Sequence, residues 1–497
     1  MVDMPVALRD RGPRGRARMA SPAHVSTLRY FGCSVLLGLA LTGPGCGSAP
    51  ATRAAAAPGR PNIILISIDC LRADHLGCHG YSRPTSAAID ALAADGVLFE
   101  NAVAPAPWTL PSHITLLTSL YSRTHQATGG GRRVAPGTPT LASLLKAAGY
   151  RTHAVVSGPY LQRRYGYAEG FDIYDDDLLL GPYRRNAVNS PDVNERAIRA
   201  LDGPRPFFLF LHYWDVHHDY APPPPFDTRF DPDYPPAPDG SRYIPFGRIN
   251  EHISPRDLRH VIALYDGEIA WVDEHVGRLV AELKHRALYD NTIIVLTADH
   301  GEGFYEHGQK GHEHTLYEEL LHVPLIVRAP GLTPGRRIAT RVQNMDVMPT
   351  LLEAVGAPVP STVQGRSLWA GLRGAPLEDR PVFAETTRAR RSRGDRRCEA
   401  WCVYDGPFKL IVYANDQHPP ELFDLRADPA EKHNLYGSGP TAALRAKLEE
   451  WLERTPVGNV TRHEGLDPAT RQQLKALGYL GGENDEGDEI EDEEGGP

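Results

Sequence analysis

Only six of the 497 residues are cysteine, too few for a disulfide framework in a chain this long, and no CxxC pair marks a zinc module. Cys398 and Cys402 read either as a disulfide, given an oxidising compartment, or as two unpaired thiols in a loop. The apolar stretch Tyr30 to Leu41 is too short to span a bilayer. Charge of one sign is also lacking. The formal net charge is −9, and much of it sits in the closing run ENDEGDEIEDEE, so the remainder is nearly balanced. That excludes a nucleic-acid footprint. What is present is ordinary globular composition, 41% hydrophobic and 23% charged, with length for a large core plus a smaller unit.

The start has the order of a targeting segment: basic RDRGPRGRARM, the apolar stretch, then small residues ending in GPGCGS. Residues 1–59 are expected to be a signal peptide and an Ala/Pro-rich linker on an exported protein, whether periplasmic, on the outer surface or secreted. Initiation at Met19 would give the signal a more usual length. Cys46 is a candidate lipid anchor, although Gly43 and Pro44 fit a lipobox poorly. The alternative is a mis-assigned start codon ahead of a cytosolic enzyme. At the other end, residues 481–497 read as a solvated acidic tail.

Between these ends, β-branched apolar runs alternate with helical patterns. PNIILISID, THAVVS, PFFLFLHY, TIIVLTAD and HVPLIVRAP are near-continuously apolar, as strands buried on both faces should be. SAAIDALAADG, SHITLLTSL, PTLASLLKAAG and the long segment from Leu258 to Arg286 carry the helical period. The expected fold class is α/β: a mostly parallel central sheet flanked by helices over residues 60–380. From about Pro381 to residue 480, shorter strands and the helix TAALRAKLEEWLERT predict a smaller C-terminal α+β unit. A Pro-rich insertion over 221–250 is too long for a plain connector and is expected at the substrate rim.

In an open α/β sheet the working crevice lies beyond the carboxyl ends of the strands. Asp69 closes PNIILISID, Asp299 closes TIIVLTAD with His300 next, and Asp215 and His217 follow PFFLFLHY. Three strands delivering carboxylates or imidazoles to one edge point to a metal or catalytic site. Thr109 stands two residues before Pro111, which suits a first helical turn, so its hydroxyl would sit where a helix N-terminus favours an anion. His113 follows four residues later, on the same helix face. A threonine there is also a common helix cap.

The segments IDCLRADHLGCHGYSRPTSAAIDALAADGVLFENAVA, TLPSH, LTADHGEGFYEHG, LYEELLHVPLIVRAPG, DVMPTLLEAVGAP and LFDLRADPAEKHNL occur in series from about Pro61 to about Leu435. In order and spacing they resemble the sulfatase family of the alkaline-phosphatase superfamily. The resemblance implies a metal-dependent ester hydrolase of that fold, with Asp69, Asp299 and His300 as metal ligands and Thr109 as nucleophile. It sets His217 and His307 against substrate or leaving group. An imidazole ligand favours Zn²⁺ or Mn²⁺, with Ca²⁺ and Mg²⁺ as alternatives.

The departures carry as much information. Family sulfatases convert Cys or Ser within C/S-x-P-x-R to formylglycine, whereas this chain has Thr109 and, in place of Arg, His113. No formylglycine is therefore expected. Cys70 replaces the second aspartate of the usual pair, and SGPYLQ stands where a Lys/His-bearing strand end is usual. Lys310, His312 and His314 are candidates to restore that positive charge at the substrate, or to bind a second metal, or they are ordinary loop residues. Three functions remain open: hydrolysis of a phosphate, phosphodiester or phosphonate ester, or the related phosphoryl transfer; sulfate-ester hydrolysis; and binding on a decayed scaffold. The substrate class is a small-molecule, glycan-linked or lipid-linked ester. The missing arginine makes one expectation checkable. Thr109→Cys, co-expressed with a formylglycine-generating enzyme, should keep its thiol by intact mass; conversion to the aldehyde would show that the arginine is dispensable.

Overall fold

The computed structural model describes residues 59–178, 189–390, 395–415 and 418–463. The targeting segment ahead of Gly59 and the acidic tail lie outside them. The five apolar runs are all strands. β1 (Asn62–Ile68), β2 (Val97–Val103), β3 (Arg151–Val155), β4 (Ile173–Asp175), β5 (Phe207–Tyr213), β6 (Thr292–Ala298), β7 (His322–Arg328), β8 (Arg336–Ile338) and β9 (Val342–Gln343) form one nine-stranded sheet. The order is β8-β2-β7-β6-β1-β5-β3-β4, with β9 also beside β2. Only β7 runs antiparallel to its neighbours. β1, β5 and β6 at the centre are buried along their whole length, which is why their sequences show no polar alternation.

Helices α1 (Ala87–Ala94), α2 (Thr109–Thr118), α3 (Leu141–Ala147), α4 (Ser190–Ala200), α5 (Pro255–His285) and α6 (Val347–Ala354) flank this sheet. α5 packs on α1 and α4, while α2, α3 and α6 pack together. α5 starts where Ser254 caps the backbone N–H of Asp257 and Pro255 takes the first helical position. The elements that the sequence reading did not single out include one long strand and one long helix. β2, VLFENAV, is interrupted by half-exposed Glu100 and Asn101. α4, SPDVNERAIRA, is too polar for its short buried stripe of Val193 and Ala197 to stand out.

Beyond the sheet, β10 (Val382–Ala389), β11 (Cys398–Asp405), β12 (Phe408–Tyr413) and β13 (Glu421–Asp424) form a separate antiparallel meander. α7 (Thr441–Arg454) packs on β11 and β12. Cys398 and Cys402 both lie on β11, and both are free. Four residues of extended chain separate them by about 13 Å, so they cannot pair.

The meander joins the large sheet through an apolar cluster that includes Val103, Tyr317 and Leu321 on one side and Val382, Tyr404, Ile411 and Phe423 on the other. Beneath it, the fully buried Lys409 ammonium lies 3.0 Å from Glu318 and 2.8 Å from Glu431. Removing the cation leaves the fully buried Glu431 carboxylate uncompensated beside Glu318, whose side chain is only partly exposed. Lys409→Met should therefore cost about 3–5 kcal/mol of unfolding free energy. Adding Glu318→Gln and Glu431→Gln should restore most of it, as read from urea midpoints; an unchanged midpoint in the single variant would show that the group is not load-carrying.

Candidate active site

β1 and β6 are parallel neighbours with Ile68 opposite Ala298, so the next residues, Asp69 and Asp299, leave the sheet side by side. The backbone N–H groups of Cys70 (3.3 Å) and His300 (2.9 Å) donate to Asp299 Oδ1 and fix that carboxylate. The Oδ2 atoms of Asp69 and Asp299 are fully buried and have no hydrogen-bond partner. His300 donates from Nδ1 to the Gly301 carbonyl at 2.8 Å, which leaves Nε2 with a lone pair. That nitrogen lies 3.2 Å from Asp299 Oδ2, 3.8 Å from Asp69 Oδ1 and 3.3 Å from Thr109 Oγ1. The chain can turn here because residue 301 is glycine: a Cβ would sit 2.0 Å from the Glu319 carbonyl.

Thr109 opens α2, with Trp108 extended before it. Its hydroxyl therefore belongs to the positive end of the helix, where Thr109 and Leu110 carry the N–H groups outside the helical ladder, Pro111 has none and Ser112 donates to the Trp108 carbonyl. A lone pair, a hydroxyl and two unpartnered carboxylate oxygens converging without water are the donor set of a divalent cation; without one, the buried negative charge has no compensation. The residues fit the metal that the motifs imply, and the imidazole favours zinc or manganese over calcium. Cys70 also approaches this set, since Asp69, Cys70 and His300 each offer one ligand atom within 4.8 Å of the others.

The remaining expected residues divide between the centre and its surroundings. His113 lies under the threonine, its Nδ1 donating to the Thr109 carbonyl at 2.9 Å and its Nε2 2.9 Å from Ser67 Oγ. Burial lowers its pKa to about 4 against the pull of Asp299, so it is a neutral support for the first helical turn. His217 stacks on Trp214 and donates from Nδ1 to the His218 carbonyl. Burial, followed by its neighbours His218 and His312, holds His217 well below its usual range. His312 is the protonated member. Burial opposes its charge, but the Glu302 carboxylate, 3.2 Å away, raises it to about 9. Its ring lies 4.5 Å from that of His300.

Three residues are engaged elsewhere. His307 donates to Glu319 at 2.7 Å and to the Glu431 carbonyl at 3.1 Å, and it stacks on Tyr317. It lines a cavity of about 700 Å³ with Arg72, Glu306, Arg341 and Arg380. His314 is held by the Arg388 carbonyl and Arg390. Between them Glu313 takes φ +84° and accepts from Arg388 Nη1 through both carboxylate oxygens at 3.0 Å, so His312 and His314 leave a bend toward different surroundings. Lys310 donates to the Phe246 carbonyl and lies over the Phe246 ring. Phe246 belongs to the Pro-rich insertion and stacks on His218 at 3.9 Å, so that insertion does border the histidines. Asp215 instead caps α4 through the N–H groups of Asn189 and Ser190.

Sequence reasoning passed over His212, His218 and Glu302. His212 is fully buried, its Nε2 is 3.2 Å from Asp69 Oδ2 without a hydrogen bond, and it has no other partner. A histidine near the end of an otherwise apolar strand was the available signal. Where the usual Lys/His pair is missing, Tyr160 packs edge-on against Trp108.

An α/β sheet presenting a carboxylate, hydroxyl and imidazole centre at its strand ends defines a hydrolase acting on ester bonds. The chain belongs to the sulfatase family, whose model matches residues 61–357; a second model, N-sulphoglucosamine sulphohydrolase, C-terminal, matches 306–457. It is 26% identical over 486 residues to Delta 4,5-hexuronate-2-O-sulfatase of Bacteroides thetaiotaomicron, covering 88% of this chain and 96% of that protein. It is 25% identical to the multifunctional alkaline phosphatase superfamily protein PehA of Trinickia caryophylli, covering 78% and 93%. The fold is similar to that of the phosphonate monoester hydrolase of Agrobacterium radiobacter, with a TM-score of 0.66 and 24% identity over 79% of this chain and 95% of that one.

Asp299→Asn keeps the size of the side chain and removes the formal charge. Metal content by elemental analysis and ester turnover should fall together, turnover by roughly 100-fold or more. Stoichiometric metal with undiminished turnover would remove Asp299 from the ligand set.

Proposed function

We propose that the protein is an exported, metal-dependent hydrolase that uses Thr109 as nucleophile and prefers phosphate, phosphodiester or phosphonate esters to sulfate esters. The observation that carries this reading is Thr109 itself, an unmodifiable side chain at the start of α2 with its oxygen 3.3 Å from His300 Nε2. A divalent cation bound by Asp69, Asp299 and His300 would lower the pKa of the threonine hydroxyl and offset the negative charge of the substrate.

The chain's own residues supply the rest. His113 and Ser67 hold the first turn of α2 in place. The N–H groups of that turn face the bound oxyanion. His312, carrying its proton, puts positive charge beside His300. His217 is neutral and commits its Nδ1–H to a carbonyl, so it receives the leaving group without protonating it. Phe246 and Lys310, from the insertion and the short hairpin Gly303–Gly311, border the entrance for a small-molecule, glycan-linked or lipid-linked ester.

The choice between phosphorus and sulfur follows from the oxygen count. Hydrated formylglycine accepts a sulfuryl group on one oxygen and expels it with the other, reforming the aldehyde. Threonine has one oxygen, so a sulfated Thr109 must be opened by direct attack of water at sulfur. A phosphorylated Thr109 can be opened at phosphorus, a step many enzymes catalyse. Among the relatives, one is named a hexuronate sulfatase, and one solved structure of similar fold is a phosphonate monoester hydrolase.

The test is kcat/KM on matched p-nitrophenyl phosphate, phosphodiester, phosphonate and sulfate, with Thr109→Ala as blank. A phosphorus ester should lead, and its turnover should vanish in the blank. A lead for sulfate that also depends on Thr109 would overturn the preference and make the protein a sulfatase with an unmodified threonine.

A further inference from the structure

Beside the first centre lies a second group of ligand atoms, two of them on the histidines placed above against the leaving group and beside His300. Cys70, His217 and His312 each offer one within 4.8 Å of the other two, and all three residues are buried. Cys70 stands where the family's second aspartate would serve the first metal, but its surroundings turn its sulfur toward both sets. Sγ lies 3.1 Å from Asp69 Oδ1 and 3.7 Å from His312 Nδ1.

The backbone is built to hold it there. Cys70 has φ +57°, a left-handed conformation costly for a residue with a Cβ. It is pinned by Tyr265, whose hydroxyl donates to the Cys70 carbonyl at 2.7 Å and accepts from the Arg72 N–H at 3.0 Å. His217 is oriented from behind, since its Nδ1 is committed to the His218 carbonyl at 2.8 Å. Such a carbonyl partner fixes the ring orientation. A further observation points to a cation. Glu302, hydrogen-bonded through Oε1 to His312, is fully buried, and its Oε2 has no hydrogen-bond partner. That carboxylate contacts the same His312 Nδ1 that faces the Cys70 sulfur, and its Oε2 lies 3.9 Å from His218 Nδ1, so buried negative charge sits directly beside the donor atoms.

We propose that Cys70, His217 and His312 bind a second divalent cation, zinc or a similarly thiophilic ion, next to the one held by Asp69, Asp299 and His300. One sulfur and two imidazole nitrogens make a soft donor set that excludes calcium and magnesium. On binding, Cys70 gives up its S–H proton and His312 its imidazolium proton to solvent, and the cation takes over the positive charge that His312 carried; no oxidant or reductant takes part. The replacement of aspartate by cysteine then does more than subtract an oxygen ligand from the first centre. It creates the soft ligand of the second.

Cobalt(II) distinguishes the arrangements, because a thiolate ligand adds a sulfur-to-metal charge-transfer band in the near ultraviolet that nitrogen and oxygen ligands do not. Metal is removed from the full chain with a chelator, Co²⁺ is titrated back, and the spectrum and metal-to-protein ratio are recorded after gel filtration. Two equivalents should bind, and the band should accompany one of them. Cys70→Ser should bind one equivalent without the band. His217→Phe should also lose the band, whereas Asp299→Asn, which weakens the first centre, should keep it. A single equivalent in the wild-type chain overturns the proposal, and so do two equivalents without the band. A band that survives in His217→Phe would mean that Cys70 serves the first centre, with the same consequence. The wild-type titration decides even where a variant fails to fold. No ester enters the measurement, so its outcome and that of the ester panel fail independently.

Discussion

Two carboxylates leave adjacent parallel strands into a space without water, and much of the centre is a response to that charge. Asp69 and Asp299 are brought side by side by the pairing of β1 with β6, and each retains an oxygen with no hydrogen-bond partner. Buried anions of this kind persist only where something positive is held between them. The imidazole of His300, the hydroxyl of Thr109 and the positive end of α2 are all turned to that point. The glycine at 301 exists for the same reason, since only a residue without a Cβ lets the chain fold back against residue 319.

Around this centre the histidines are sorted by their surroundings. Chemically alike side chains become a neutral prop (His113), a neutral imidazole fixed by a carbonyl (His217) and a charged one held by a carboxylate (His312). Burial pushes each toward neutrality, and only the Glu302 carboxylate at 3.2 Å overcomes it for His312. His307 is shifted in the same direction, because Glu319 outweighs burial there, yet it lies in the wall of a separate cavity. A histidine count along the sequence cannot make this division, because proximity to one carboxylate or one carbonyl decides it.

The smaller meander contributes to the same region from the other side. Arg388, on β10, binds Glu313 and lies over the Trp108 ring at 4.2 Å, so the residue before Thr109 and the residue after His312 share one cation. This couples the stability of the C-terminal unit to the geometry of the loop carrying His312. The Lys409 group fixes the meander more deeply, against Glu318 at the end of the same loop.

By itself, the sequence determined the fold class, the five central apolar strands and the positions of Asp69, Thr109, Asp299 and His300. These were legible because each stands at a punctuation point: the last polar residue after a buried strand, or the first residue of a helix ahead of a proline. Strand β2 and helix α4 were less legible, because polar residues interrupt or dilute their patterns. Tertiary structure alone decided which histidines share the centre and that His307 and His314 are committed to Glu319 and to the Arg388 carbonyl with Arg390. It also decided that His212, read as part of an apolar strand, sits against Asp69. It placed Cys70, met in the sequence as a lost ligand, beside His217 and His312. The physical reason is common to all of these. Local pattern fixes where a side chain leaves the backbone, but its charge and chemical role depend on groups that packing brings to it, from 12 residues away for His307 and Glu319 to 242 for Cys70 and His312.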